Sequence, residues 1–214
     1  MKYETIVFDC DGVVLHSNKI KTQAFYQATL PYGETAAQAM VDYHIANGGI
    51  SRYKKFTYFL DTLVQASQTG PKLEELLANY AVRIREGLLS CEVAEGLLRL
   101  REQTAKTRWL IVSGGDQTEL RDIFTLRGMT ELFDGGIYGS PESKDEILVR
   151  ELASGNIQQP ALFLGDSKYD YQAATQAGLD FIFLRKWSEA LDAESWLMDE
   201  NITSKFSLED CFND

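Results

Sequence analysis

Short uninterrupted apolar runs, each broken off by polar residues or glycine, recur through the second half of this chain. Trp109-Leu110-Ile111-Val112 leads into Ser113-Gly114-Gly115, Ala161-Leu162-Phe163-Leu164 into Gly165-Asp166, and Phe181-Ile182-Phe183-Leu184 into Arg185-Lys186. Another, Ile6-Val7-Phe8, stands near the start and ends in Asp9-Cys10-Asp11-Gly12. Runs without alternation suit strands covered on both faces, as in a parallel sheet. The segments near 94–106, 116–127, 143–154 and 168–177 have helical spacing, with stops such as Gly155 and Gly178. Strand–helix alternation predicts an α/β fold built on a doubly wound parallel sheet.

Between the first run and Ser90 the pattern changes. Leu73, Leu76, Leu77, Tyr80, Ile84 and Leu88 recur at helical spacing over 71–89, behind a Pro71 suited to a first turn. Tyr53, Phe56, Phe59, Leu60 and Leu63 do the same over 51–66, behind Ser51 as a natural N-cap. Residues 16–89 therefore read as a helical unit inserted into a core made of 1–15 and 90–214. The aromatic residues Tyr53, Phe56, Tyr58 and Phe59 read as its interior. An insertion after a sheet strand lies over the crevice where open α/β sheets bind ligands.

Composition narrows the function classes. With 44% hydrophobic and 25% charged residues in 214, the chain is an ordinary globular protein able to bury a core. A net charge of −11 argues against nucleic acid or an anionic membrane surface as a partner, because either would need a basic face. A small anionic substrate remains open if local lysines, a metal ion and backbone N–H groups hold it. No segment approaches the ~20 apolar residues of a membrane span, and the N-terminal residues lack a secretory pattern, so the expected location is cytoplasmic. Cys10, Cys91 and Cys211 are far apart and odd in number, which predicts free thiols.

The exit of the first run carries the first chemical signal. Period-2 geometry can point Asp9 and Asp11 to one side, which is a poor way to build a core. It suits a pair in which one carboxylate attacks or binds a metal and the other moves a proton. Taken alone, Asp11-Gly12 is equally a hairpin turn, with Val13-Val14-Leu15 returning as a second strand. Cys10 does not make a cysteine phosphatase, since the Cys-x5-Arg loop needs arginine where the chain has His16. There is no Walker loop and no GxGxxG. Lys144 lies in Ser143-Lys144-Asp145-Glu146, a capping box that puts a cation in a first helical turn, where the helix dipole disfavours it by ~0.3–1 kcal/mol. Something negative must compensate it.

Asp9-Cys10-Asp11-Gly12, Ile111-Val112-Ser113-Gly114-Gly115, Lys144 at a helix start and Gly165-Asp166-Ser167-Lys168-Tyr169-Asp170 occur in that order. The ordered set resembles the four loop motifs of the haloacid dehalogenase (HAD) superfamily, over the whole chain, and the closest branch is the phosphoglycolate phosphatase and β-phosphoglucomutase group with a helical cap. The resemblance implies a HAD-like Rossmannoid core with 16–89 as cap. It also implies that Asp9 attacks phosphorus to form an aspartyl-phosphate, and that Asp11 protonates the leaving alkoxide and then deprotonates water. Dehalogenases of the superfamily generally lack the second acid, so Asp11 favours phosphoryl chemistry. Ser113, Gly114 and Lys144 would hold the phosphoryl oxygens. Mg²⁺ is the implied cofactor, held by the Asp9 carboxylate, the Asp11 carbonyl and the Asp166 carboxylate, with Asp170 as a further metal-shell residue or simply an acid complementing its helix dipole.

In Gly48-Gly49-Ile50-Ser51-Arg52-Tyr53-Lys54-Lys55, Arg52 with Lys54 or Lys55 could reach over the crevice to an anionic group, and the stretch is similar to a Gly-x-Ser-Arg stretch in caps of the β-phosphoglucomutase branch, where the arginine contacts a phosphate. A basic helix start facing solvent is the competing reading of Arg52. His16, where many relatives carry an acid, reads as a hinge-surface residue, and His44 as structural. The resemblance thus implies a Mg²⁺-dependent phosphatase acting on a small organic or sugar phosphate, with a sugar phosphomutase and a non-catalytic phospholigand-binding protein as alternatives.

Overall fold

The computed structural model of the protein describes residues 2–211. Its sheet is parallel throughout and ordered β3-β2-β1-β4-β5-β6. The anticipated runs form β1 (Thr5–Phe8), β2 (Arg108–Asp116), β4 (Ala161–Gly165) and β5 (Asp180–Leu184). Two further strands were not anticipated, β3 (Gly136–Ser140) and β6 (Ser204–Lys205). Both lack an apolar run, β3 because glycines interrupt it and β6 because it is two residues at the sheet edge.

Alternate side chains of the central strands face opposite ways, as period 2 requires. Ile6, Phe8, Trp109, Ile111, Leu162 and Leu164 pack with the insert's Phe25, Tyr80 and Leu88. Val7, Leu110, Val112 and Phe163 pack on the other face against Ile147, Leu148, Ala173 and Ala174. The two faces are covered by α5 (Leu97–Gln103), α6 (Gln117–Leu126), α7 (Lys144–Ala153), α8 (Lys168–Gln176) and the insert. From β1 the chain builds outward through β2 and β3, then returns to the other side of β1 for β4. The connections diverge there, so a crevice opens at the carboxyl ends of β1 and β4.

The insert between β1 and β2 contains α1 (Asn18–Thr29), α2 (Glu34–Ala46), α3 (Arg52–Tyr58) and α4 (Leu73–Ser90). In α4 the periodic residues Leu76, Tyr80, Ile84 and Leu88 are buried as expected. Pro71 falls outside it, with Lys72 at the N-cap donating its N–H to Glu75. The helix anticipated over 51–66 is α3 followed by a wider π turn, Phe59–Leu63. Phe56 and Phe59 are interior, whereas Tyr58 is exposed and stacks on Tyr43 at 4.0 Å, and Tyr53 donates its hydroxyl to Asp116. No helix among the described residues is long and apolar enough to cross a membrane.

Val13-Val14-Leu15 does not form a hairpin strand, because β1 already pairs with β2 and β4 on its two sides. The Val14 and Leu15 N–H groups instead both donate to the Cys10 carbonyl, closing a tight buried turn. The insert leaves and rejoins the sheet by adjacent chains: His16 N–H donates to Glu92 O and Ala94 N–H to Val14 O, each at 2.9 Å. His16 lies in this double connection, stacked on Trp187 at 4.8 Å.

Candidate active site

Asp9 continues β1 by one residue, its N–H donating to Leu164 O at 2.9 Å, while Cys10 N–H donates to Asp9 Oδ1 at 2.7 Å. The strand ladder therefore fixes where the carboxylate sits. Asp166 follows β4 on the neighbouring strand, so the sheet register itself places the two acids side by side. Gly12 permits the approach, since its φ is +75° and a Cβ there would lie 2.0 Å from Asp166 Oδ2. Only a residue without a side chain turns the chain at this spot.

Lys144 lies at the start of α7, behind Ser143 and its capping-box partner Glu146, as the sequence predicts. The compensating charges are Asp9, with Oδ2 3.0 Å from Nζ, and Asp170, in still closer contact. Lys144 is 1% exposed. Burial opposes its charge, but the two carboxylates outweigh burial and hold the ammonium well above the usual lysine value. Asp170 also caps α8 with Ser167, accepting from Ser167 Oγ at 2.6 Å and from the Ser167 and Asp166 N–H groups. Both of its oxygens thus have partners, and its helix-start role and its contact with Lys144 coexist.

Carboxylate oxygens of Asp9, Asp166 and Asp170 can be chosen that lie within 4.8 Å of one another, all three residues being buried. Burial pushes Asp9 up to about 7; Asp170 and Asp11 add to this and Lys144 opposes it. Asp166 is pushed well above the ordinary value by burial, then by Asp9 and Asp170, with the Asn18 hydrogen bond opposing. Asp9 and Asp166, two buried acids that resist ionisation in this way, fit a hard cation, which would relieve both the burial and the repulsion.

Asp11 lines the same cavity as Asp9 and Asp166. Its carboxylate accepts from Ser17 Oγ at 2.6 Å and pairs with Lys21 Nζ at 2.5 Å. Burial works against its ionisation, yet the Lys21 ammonium prevails and holds it below the usual value. Ser113 is fully buried with Oγ accepting from Gly115 N–H at 3.1 Å, and Gly114 and Gly115 are the residues of that turn that line the cavity. Gly114 meets the insert so closely that a Cβ would stand 2.1 Å from Gly49 O. Arg52 does line the cavity, but both its terminal nitrogens go to Glu119 of α6 and its guanidinium lies over the Tyr80 ring at 4.7 Å.

The sequence reading missed Asn18 and Lys21 of α1. Asn18 Nδ2 donates to Asp166 Oδ2 at 2.7 Å and to Trp187 O at 2.9 Å. Neither residue belongs to a recognisable motif; the one available signal was Lys21 falling at a core position of a helix. Together with Lys55, His44 and Phe25 they roof a cavity of about 420 Å³.

A family description, haloacid dehalogenase-like hydrolase, matches residues 3–178. The chain belongs to that family of hydrolases. Solved structures with the same fold include a HAD hydrolase of family IA from Entamoeba histolytica, 11% identical, with 96% of this chain and 94% of that one covered at a TM-score of 0.73. A candidate phosphoglycolate phosphatase from Lactobacillus plantarum is 22% identical, with 99% and 98% covered at 0.70. CbbY from Rhodobacter sphaeroides, solved in complex with phosphate, is 19% identical, with 85% and 86% covered at 0.62. No curated protein sequence matches this chain significantly.

Proposed function

We propose that this HAD hydrolase is a Mg²⁺-dependent phosphatase that cleaves a small organic or sugar phosphate monoester through an aspartyl-phosphate. The observation that carries the reading is that Asp9 and Asp166 meet in one cavity beneath the helical insert, which acts as the cap, with Lys144 and Asp170 buried behind them, so that three separate stretches of chain converge. Phosphate monoesters demand charge neutralisation and in-line positioning above all. Asp9 attacks phosphorus as the ester P–O bond breaks, and Asp11 gives its proton to the departing alkoxide. Asp11 then takes a proton from water, which attacks the aspartyl-phosphate and releases inorganic phosphate with Asp9 restored.

In the arrangement described, Lys21 holds Asp11 ionised, the state needed for the second step. Delivering the first proton requires that hold to loosen. Lys144 and the Gly114 and Gly115 backbone face the phosphoryl oxygens, with the Ser113 hydroxyl behind them. The carboxylates of Asp9 and Asp166 and the Asp11 carbonyl would hold the ion, while Asp170 supports Lys144 and the Ser167 turn. Mg²⁺, when bound, neutralises phosphoryl charge and keeps Asp9 ionised.

Arg52, on which the mutase alternative leaned, is engaged by Glu119, so no observation favours that alternative over hydrolysis. The test is release of phosphate from an aryl phosphate with Mg²⁺. Asp9→Asn is expected to lose at least ~10³-fold in kcat with its circular dichroism unchanged. Activity equal to that of the unmutated protein would refute the nucleophile.

A further inference from the structure

Lys21, Arg52 and Lys55, three cationic side chains of the insert, line the cavity. Asp11 matches Lys21, and Glu119 matches Arg52. Lys55 has no carboxylate partner among the described residues. It is 1% exposed, with Nζ 2.7 Å from His44 Nδ1, 3.4 Å from the His44 carbonyl and 5.6 Å from the Phe25 ring centroid. When Lys55 carries its proton, His44 Nδ1 accepts from it, and the imidazole proton then sits on Nε2. The end of α2 offers Lys55 a partial negative charge and nothing more.

A structural role does not account for this lysine. It shares the buried face of α3 with Arg52 and Phe56, where leucine or methionine would fill the space without an uncompensated ammonium, which costs several kcal/mol. Its surroundings worsen the cost. Burial and then the Lys21 ammonium push Lys55 down to about 7, Lys144 acts the same way, and only Asp11 and Glu189 oppose them. Burial, Lys55 and Lys21 likewise keep His44 neutral. The missing element is an anion. The cavity of about 420 Å³ has room for more than a phosphoryl group, and the carboxylates that surround the reacting phosphorus come from strand ends, not from the elements that carry Lys55.

We propose that Lys55, with His44 behind it, binds a second oxyanion of the substrate, a carboxylate or second phosphoryl group carried apart from the ester being cleaved. This rests on the phosphatase reading and adds the substrate class and the residue that selects it. The arriving anion supplies the absent counter-charge, and Lys55 takes up a proton from solvent as the pair forms.

The Mg²⁺-loaded protein is titrated calorimetrically with ethylphosphonate, 3-phosphonopropanoate and propane-1,3-bisphosphonate, in two buffers of different ionisation enthalpy. At least one of the two doubly anionic ligands is expected to bind about tenfold or more tighter than ethylphosphonate. Whichever wins tells carboxylate from phosphoryl. At pH 8, 3-phosphonopropanoate is expected to bring more proton uptake than ethylphosphonate. Lys55→Met should reduce the preference by about tenfold or more, while Lys55→Arg keeps most of it. Equal binding of all three ligands, or a preference that survives Lys55→Met, would overturn the inference. So would an equal loss across all three, which would mark Lys55 as structural. Should Lys55→Met not fold, absence of the excess proton uptake in the unmutated protein overturns it instead. Ester hydrolysis that needs Asp9 but ignores the distal anion defeats this inference alone; no ligand binding and no effect of Asp9→Asn defeat the phosphatase reading as well.

Discussion

Where the sheet strands end, the cavity collects the acids Asp9, Asp11 and Asp166 with Asp170 behind them, whereas the insert faces it with the bases Lys21, Arg52 and Lys55. The acids are fixed by backbone: Asp9 prolongs a ladder, Asp166 ends the next strand, and Asp170 caps a helix. The bases hang from helices on long side chains. The two sets meet at Lys21–Asp11 and, across the edge of the cavity, at Arg52–Glu119. Asp9 instead takes its counter-charge from Lys144, another residue of the sheet side. The floor is therefore electrostatically complete once a cation joins it, and the roof is left to set Asp11 and to choose the substrate.

Changes in the floor should accordingly stop the chemistry, and changes in the roof should alter stability or selectivity. The largest effect is expected from Lys144→Met. It leaves Asp9 and Asp170 buried without a counter-charge, so phosphate release should fall ~10³-fold and the metal-free protein should lose about 3–5 kcal/mol in denaturant titration at neutral pH. A loss confined to KM would show that the roof, not Lys144, balances Asp9.

Next in size is the pH profile of Lys55→Met. In the folded protein Lys55 sits near 7, below its ordinary 10.5. Below pH 7 folded and unfolded chains both carry the proton, and the folded state bears the full cost of the buried ammonium. Between these values only the unfolded chain holds it, so the unmutated protein gains stability from this group as pH rises. Lys55→Met should raise the unfolding free energy most at pH 6–7, by an amount on the order of several kcal/mol in denaturant titration, with the gap closing toward pH 10. A gap that does not change with pH would mean Lys55 is not buried as a strained base.

The smallest effect belongs to Glu119→Gln, which frees Arg52 at the seam between roof and floor. KM should rise ~3–10-fold with kcat little changed, read by steady-state kinetics on several esters. A large fall in kcat would make the seam part of the chemistry and erase the distinction between the two regions.

The floor was legible in the sequence because its residues sit at the ends of apolar runs, where strand geometry dictates where a carboxylate goes. Asp9, Lys144 and Asp166 could be placed together from the order of short motifs, and the capping box at Ser143 even signalled that Lys144 needed a negative neighbour. The roof was legible only in part. The basic start of α3 pointed to Arg52 with Lys54 or Lys55 over the crevice, and Lys55 does line the cavity. Nothing local to Lys21 or Asn18 says which strand end a helix will cover, and Arg52, read as a phosphate contact or a solvated residue, has its charge taken by Glu119, sixty-seven positions away. His44 looked structural because its partner, Lys55, becomes visible only when α2 and α3 pack. The strand β3 escaped notice for a simpler reason, since Gly136 and Gly139 break its apolar run.

The paired crossing of the chain at Val14–His16 and Glu92–Ala94 makes the whole roof a detachable module in topological terms. Its two ends stand one hydrogen bond apart, so a roof of different length or shape could be spliced in at the same joint without re-threading a single strand. Such a graft would have to preserve the apolar seam that Phe25, Tyr80 and Leu88 share with the sheet.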